Sequence, residues 1–413
     1  LDLRRAIHTL RDSVQYIDDP VSETDPMIRK KGLSTTPVIF NSVNGKKIAA
    51  NFISTRDLLC HYLGIQKTSL AKHLAGITPD PKYKIIQDLP DKMISSKANL
   101  DKLPILKYFD GDGGHYITGG VVIAEENGMI NMSIHRIMKI SKEEGAIRLV
   151  PPRHLYTMHQ KALEKGEPLP ITVAIGVHPL VLFGVSVRTP TGGEMAYINA
   201  ITGGITYYKS NNGLPVPPAE IILEGYITGE TVDEGPFVDI TGTYDKVRKE
   251  PVITFTEMHV KEDFIYYSIS PASPEHQVLM GVPFEPVIYG EVAKVCEVRN
   301  VIMTEGSRHY LHAVVQIKKR TEGDGKNAIL AAFTGHPSLK HVIVVDDDID
   351  IFDIRDVEYA LATRFRGDRD LLLINNVRGS SLDPTISEDG TVTKLGLDAT
   401  AELSNLKKFK RVV

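Results

Sequence analysis

The 413-residue sequence has no Trp and only two cysteines, Cys60 and Cys296. Two distant thiols without CxxC or CxxH spacing exclude a thiolate zinc site and a disulfide framework, and they fit a reducing compartment. No apolar run approaches the roughly eighteen residues that a membrane span needs. There is no basic stripe either: the net charge is −4, both signs are spread along the chain, and Trp is not there to stack on bases. A nucleic-acid partner is therefore disfavoured. The opening segment "LDLRRAIHTLRDSV" reads as a capped amphipathic helix rather than a signal peptide, so a cytoplasmic location is expected.

What is present describes a soluble globular protein, with 42% hydrophobic and 24% charged residues. At 413 residues the chain exceeds one ordinary core, and two or three domains are expected. The first hundred residues alternate helical patterns (1–14, 55–64) with strand-like runs such as "TPVIFNSV". Around 101–120 the texture becomes rich in Gly, and from there to about 290 β-branched runs broken by Gly, Pro and Asn predict strands. "RHLYTMHQKALEKG" predicts a helix with Gly166 as its C-cap, and a weaker helical pattern lies near 180–186. Beyond 300, "HAVVQIKK", "KHVIVVDDD" and "DIRDVEYALATRF" alternate strand and helix. The expected architecture is mixed α/β (α+β): an N-terminal α/β domain (1–100), a β-rich central domain (101–300) and a C-terminal α/β domain (301–413).

Several stretches carry candidate chemistry. In "NMSIHR" (131–136), strand alternation would point Asn131, Ser133 and His135 one way and Met132, Ile134 and Arg136 the other. "DDDIDIFD" (346–353) fails the calcium-loop pattern, because Ile351 and Val357 stand where Gly and Glu are required. Asp353 instead suits a helix N-cap. "GDGGHYITGG" (111–120) lacks the GK[ST] ending of a phosphate loop, and its glycines suit tight turns. His154 opens a helix after Pro151 and Pro152. Counting by two from Ile222 puts Glu224 on an inward strand face, where a carboxylate is costly unless paired or bound to a metal. Glu275, just before an apolar run, is either a first-turn acid favourable to the helix dipole or a proton donor at a pocket mouth.

Taken together, these motifs resemble the UbiD family of reversible decarboxylases that use prenylated flavin mononucleotide. "LPILKYFDGDGGHYITGGVVIAEENGMINMSIHRIMK", "AEIILEGYI" with "DEGPF", and "VIVVDDDIDIFDIRDVEYALATR" followed by "SSLDP" and "TKLGLDAT" are similar to family stretches in the same order. The resemblance implies a split-barrel flavin-binding centre and a C-terminal domain that builds dimers or hexamers. It implies that Asn131, His154 and Glu224 hold Mn²⁺ or Mg²⁺ against the flavin phosphate, with K⁺ nearby. Ser133, Ile134 and Arg153 would lie beside the prenylated FMN, and Lys394 would approach its phosphate. Arg136 would face the substrate carboxylate, and Glu275 would protonate the carbon left behind. The sequence departs from the family pattern at Pro274, where an Asp precedes the Glu, at Val238, where Gly is usual, and at His135, where an apolar or small residue is common.

The same resemblance implies loss of CO₂ from an α,β-unsaturated acid, with the flavin as electron sink and a flavin prenyltransferase as its supplier. "EGPFVDITGTYDKVR" is similar to a compact archaeal group acting on trans-anhydromevalonate 5-phosphate, which yields isopentenyl phosphate in a mevalonate pathway. The extra phosphate would call for a cation, with His135, Arg153 and Arg188 as candidates. The alternatives are decarboxylation of 4-hydroxybenzoate-type aromatic acids in quinone synthesis, a nicotinamide-dependent flavin reductase, and a catalytically silent subunit of the same fold.

Overall fold

The β-branched runs of the middle of the chain become a nine-stranded sheet in which every pairing is antiparallel. The computed structural model describes residues 1–90 and 92–412. They form two units, residues 1–63 with 77–279 and residues 64–76 with 280–413. Elements are mixed α/β throughout, and among the described residues no helix is long and apolar enough to cross a membrane.

In the first unit the large sheet is centred on two 14-residue strands, Ile221–Glu234 and Arg248–Lys261. Leu169–Ile175 pairs with the first of these, then Gly120–Glu126, with Met129–Ile134 at the edge. Leu169–Ile175 is buried at six of its seven positions, which is why it reads as a continuous apolar run rather than an alternating one. A smaller four-stranded sheet orders Gln15–Ile17, Val38–Val43, Lys46–Ala50 and Ile265–Tyr267. Residues 265–267 therefore complete a sheet begun by the first fifty residues, a pairing that local pattern does not encode. The expected helix after Arg153 spans His154–Glu164, with Gly166 at φ +72°, and the weak pattern near 180–186 is a buried helix, Pro179–Ser186.

In the second unit a five-stranded sheet runs in the order Glu297–Met303, His312–Lys318, His341–Asp346, Thr391–Ala399, Leu371–Arg378, parallel at its centre. Val314, Ile343, Val345, Ile349, Ile351, Val357 and Ala360 form its buried core on one side. Asp353 caps the helix Ile354–Thr363 by accepting from Arg355 N–H, so the acidic run is a strand end and a cap.

The two long strands of the first unit lose register between Glu224 and Gly225. A Cβ on Gly225 would lie 2.2 Å from the Thr254 carbonyl oxygen and 2.9 Å from Phe255 Cα. Backbone cannot yield as a side chain does, so the bulge requires glycine. Gly225→Ala is expected to lower stability by about 1–3 kcal/mol, read as a lower urea midpoint than wild type; an unchanged midpoint would show that the strands can part there freely.

Candidate functional site

The strand Met129–Ile134 ends before His135, and the next strand begins at Ile137. Asn131, Ser133 and His135 share one face, as alternation predicts: Asn131 Nδ2 donates to Ser133 Oγ at 3.0 Å, and Ser133 Oγ lies 2.9 Å from His135 Nε2. The other ring nitrogen, His135 Nδ1, is 2.9 Å from the Arg148 carbonyl. Burial pushes the His135 imidazole down to about 4, with Arg153 and Arg148 adding repulsion. A neutral ring with both nitrogens engaged cannot serve as the cation expected of it for a phosphate.

His154 and a residue that the sequence reading passed over, Glu194, come together: His154 Nδ1 is 3.7 Å from Glu194 Oε1. Glu194 opens the helix Glu194–Thr202 and is buried, and burial pushes its carboxyl up to about 7. Among the described residues, no donor is within hydrogen-bonding geometry of its Oε2. Both this helix and His154–Glu164 pack against the strand that carries Asn131, and a Cβ on Gly192 would lie 3.8 Å from the Ile130 carbonyl oxygen. An amide, an imidazole and a buried carboxylate with an undonated oxygen are a donor set suited to a divalent cation such as Mn²⁺ or Mg²⁺. The only sequence signal for Glu194 was an acid at a helix start, shared by many structural residues.

Glu224 lies in a different group. Its carboxylate accepts from Asn211 N–H at 2.9 Å and Asn212 N–H at 2.7 Å, and His259 Nε2 is 2.9 Å from it. Glu257 completes this cluster, and Ser95 Oγ contacts His259 Nδ1 at 2.8 Å. Burial opposes the charge, but His259 and the two amides outweigh it and hold the Glu224 carboxyl below its ordinary value. The inward carboxylate is thus satisfied by hydrogen bonds rather than by His154 or Asn131.

Arg136 is committed to acids. Its Nε and Nη2 donate to the two oxygens of Glu234, both at 2.9 Å, while Nη1 is 3.4 Å from Asp239 and Nη2 3.2 Å from Asp245. Glu234 ends the strand Ile221–Glu234, Asp239 follows the short strand Phe237–Val238, and Asp245 ends that strand's partner, Tyr244–Asp245. The guanidinium also lies 4.8 Å from the Phe237 ring centroid. Side-chain exposure is 0% for Glu234, 9% for Asp245 and 17% for Asp239, so Asp239 is the most accessible of the three. Neither Glu234 nor Asp239 was singled out from sequence, although both stand in the quoted "EGPFVD".

Glu275 is fully buried, and its carboxylate accepts from Asn51 N–H at 3.0 Å, Ile53 N–H at 2.9 Å and the Tyr267 hydroxyl at 2.5 Å. It ties the helix Pro274–Gly281 to the turn after Lys46–Ala50. Lys394 lies in the second unit, where Nζ donates to the Pro337 carbonyl at 2.6 Å and burial pushes it down to about 8. Arg153 is exposed, immediately before His154, and Ile134 closes its strand partly buried.

Residues 87–274 match the 3-octaprenyl-4-hydroxybenzoate carboxy-lyase Rift-related domain (UbiD), and residues 277–399 match the C-terminal domain of the same carboxy-lyase. The anhydromevalonate phosphate decarboxylase of Methanosarcina mazei is 51% identical over 96% of this chain and 95% of its own. That of Archaeoglobus fulgidus is 52% identical over 98% and 96%. The UbiD-class enzyme HmfF from Pelotomaculum thermopropionicum, in complex with FMN, superposes with a TM-score of 0.94 at 32% identity, covering 100% of this chain and 97% of that one. An evolved dimeric form of it in complex with prFMN gives 0.90 at 30% identity, covering 100% and 96%.

Burial pushes the Glu275 carboxyl up from 4.5 to about 7, against its three donors. The unfolded chain releases this proton near 4.5 and the folded chain only near 7, so the folded state binds more protons in between. The contribution of Glu275 is fully present below that window and is lost as pH rises through it. Urea unfolding from pH 4 to 8 is expected to show a steeper fall in wild type than in Glu275→Gln, where the raised carboxyl of Glu194 still contributes; parallel curves would remove the assignment.

Proposed function

Because the chain belongs to the UbiD family, we propose that it is a prenylated-FMN-dependent carboxy-lyase converting trans-anhydromevalonate 5-phosphate to isopentenyl phosphate and CO₂. One observation supports this more than any other. The segment 131–136 carries Asn131 on the strand against which the helices of His154 and Glu194 pack, and, just past the strand end, Arg136 inside a set of three acids. The archaeal relatives named above support the substrate.

In this reading Asn131, His154 and Glu194 hold a divalent cation against the flavin phosphate. Glu194 takes the place that the sequence suggested for Glu224, whose oxygens are already occupied by Asn211, Asn212 and His259. When bound, the prenylated flavin supplies the sink for the electron pair left as CO₂ departs. Arg153, exposed beside His154, would meet an anionic oxygen of the flavin phosphate in this reading.

The proton that replaces CO₂ needs a donor with access to the reacting carbon. Glu275 has no exposed surface and its carboxylate is engaged by the 51–53 turn and Tyr267. Asp239 is partly exposed and contacts Arg136 through Oδ2. Asp239 is therefore the proposed proton donor. Arg136, whose Nε–Nη2 fork is filled by Glu234, orients the acid pair rather than clamping the substrate carboxylate bidentately.

Protein co-produced with a flavin prenyltransferase and incubated anaerobically with trans-anhydromevalonate 5-phosphate is expected to release isopentenyl phosphate and CO₂, followed by mass spectrometry. No product from protein shown to carry prenylated flavin would overturn the reading. Asp239→Asn is expected to lower kcat by about 10²–10⁴-fold at unchanged flavin occupancy; a wild-type rate would return the proton to Glu275.

A further inference from the structure

We infer that His135 is a positioning residue that fixes, through Ser133, which end of the Asn131 amide faces a bound metal. The inference rests on the metal-site reading above. It follows from donor and acceptor accounting along one chain of contacts. The Arg148 carbonyl can only accept, so the hydrogen between it and His135, 2.9 Å away, belongs to Nδ1. The ring is neutral, held so by burial, and its Nε2 is then an acceptor. Ser133 Oγ, 2.9 Å from Nε2, must donate its only hydrogen there. With that hydrogen spent, Ser133 Oγ can only accept from Asn131, 3.0 Å away, so the Asn131 group facing it is the NH₂.

The amide oxygen of Asn131 is consequently turned away from Ser133, and the whole side chain is buried at 2% exposure. An amide binds a cation through its oxygen and repels it through its NH₂, so the orientation decides whether Asn131 is a ligand at all. Each link is directional, and reversing any one would leave two donors or two acceptors facing each other. The Arg148 end is anchored as well: Arg148 forms an ion pair with Glu250, which also accepts from Leu149 N–H at 3.0 Å. His135 thus transmits a fixed carbonyl dipole across two side chains to the proposed metal ligand.

A residue that merely fills space would be replaceable by an apolar one, whereas a relay needs an acceptor and a donor in sequence. His135→Phe and Ser133→Ala are each expected to weaken Mn²⁺ binding by FMN-loaded protein about 10–100-fold, followed by the electron paramagnetic resonance of free Mn²⁺. The double variant should be no worse than either single one, since both cut the same chain. His135→Gln, which can accept from Ser133 and donate to Arg148, should recover most of the affinity. In wild type, two-bond ¹H–¹⁵N spectra should show His135 as the neutral Nδ1–H tautomer. An Nε2–H tautomer, or His135→Phe binding Mn²⁺ like wild type, would overturn the role of His135 alone. Wild type that binds no Mn²⁺ with FMN present would overturn the metal site and this role with it.

Discussion

The ion pair between Arg136 and Glu234 is the constraint around which the candidate site is arranged. Glu234 is wholly buried and Arg136 nearly so, and two parallel bonds of 2.9 Å join them. A buried pair of this kind gains little over an apolar one, but losing either partner leaves a charge in a low-dielectric interior at about 3–5 kcal/mol. Its value lies in geometry. It locks the end of one long central strand to the segment just past the edge strand, and it brings Asp239 and Asp245 to the same guanidinium. A further segment comes close to the same strand end: a Cβ on Gly113 would meet the Gly235 carbonyl oxygen at 2.1 Å, beside Glu234.

From this fixed point the two halves of the site separate by charge and by partner. Past the strand end the guanidinium contacts three acids, one of which, Asp245, is shared with Arg248, and the acid with most access to solvent, Asp239, suits proton delivery. Along the strand the polar face is neutral, an unbroken series from the Arg148 carbonyl through His135 and Ser133 to Asn131. Beside it, Glu194 and His154 supply the charge and the nitrogen that a divalent cation requires. A six-residue stretch serves both halves: Asn131 and Ser133 lie on the strand, and Arg136 stands two residues past its end.

Much of this was legible in sequence, where the information is local. The mixed α/β class, the helix from His154 with Gly166 past its end, the cap at Asp353 and the shared face of Asn131, Ser133 and His135 all follow from spacing, capping chemistry and the two-residue strand period. Order and wording of motifs across the chain also carried the family. Residue types fixed that an amide, an imidazole and carboxylates would be available to a site.

Tertiary structure alone decided which of those groups meet. Glu224 and Glu194 are both buried acids, and nothing in their neighbourhoods says that one is sated by Asn211, Asn212 and His259 while the other, with an undonated oxygen, faces His154. Glu275 and Asp239 differ likewise: one is buried under a turn made by residues 51–53, the other left partly open beside Arg136. Convergence of side chains tens to hundreds of residues apart depends on strand register, bulges and packing. Those are set by the whole sheet at once, and the pattern of any single segment records only its own period.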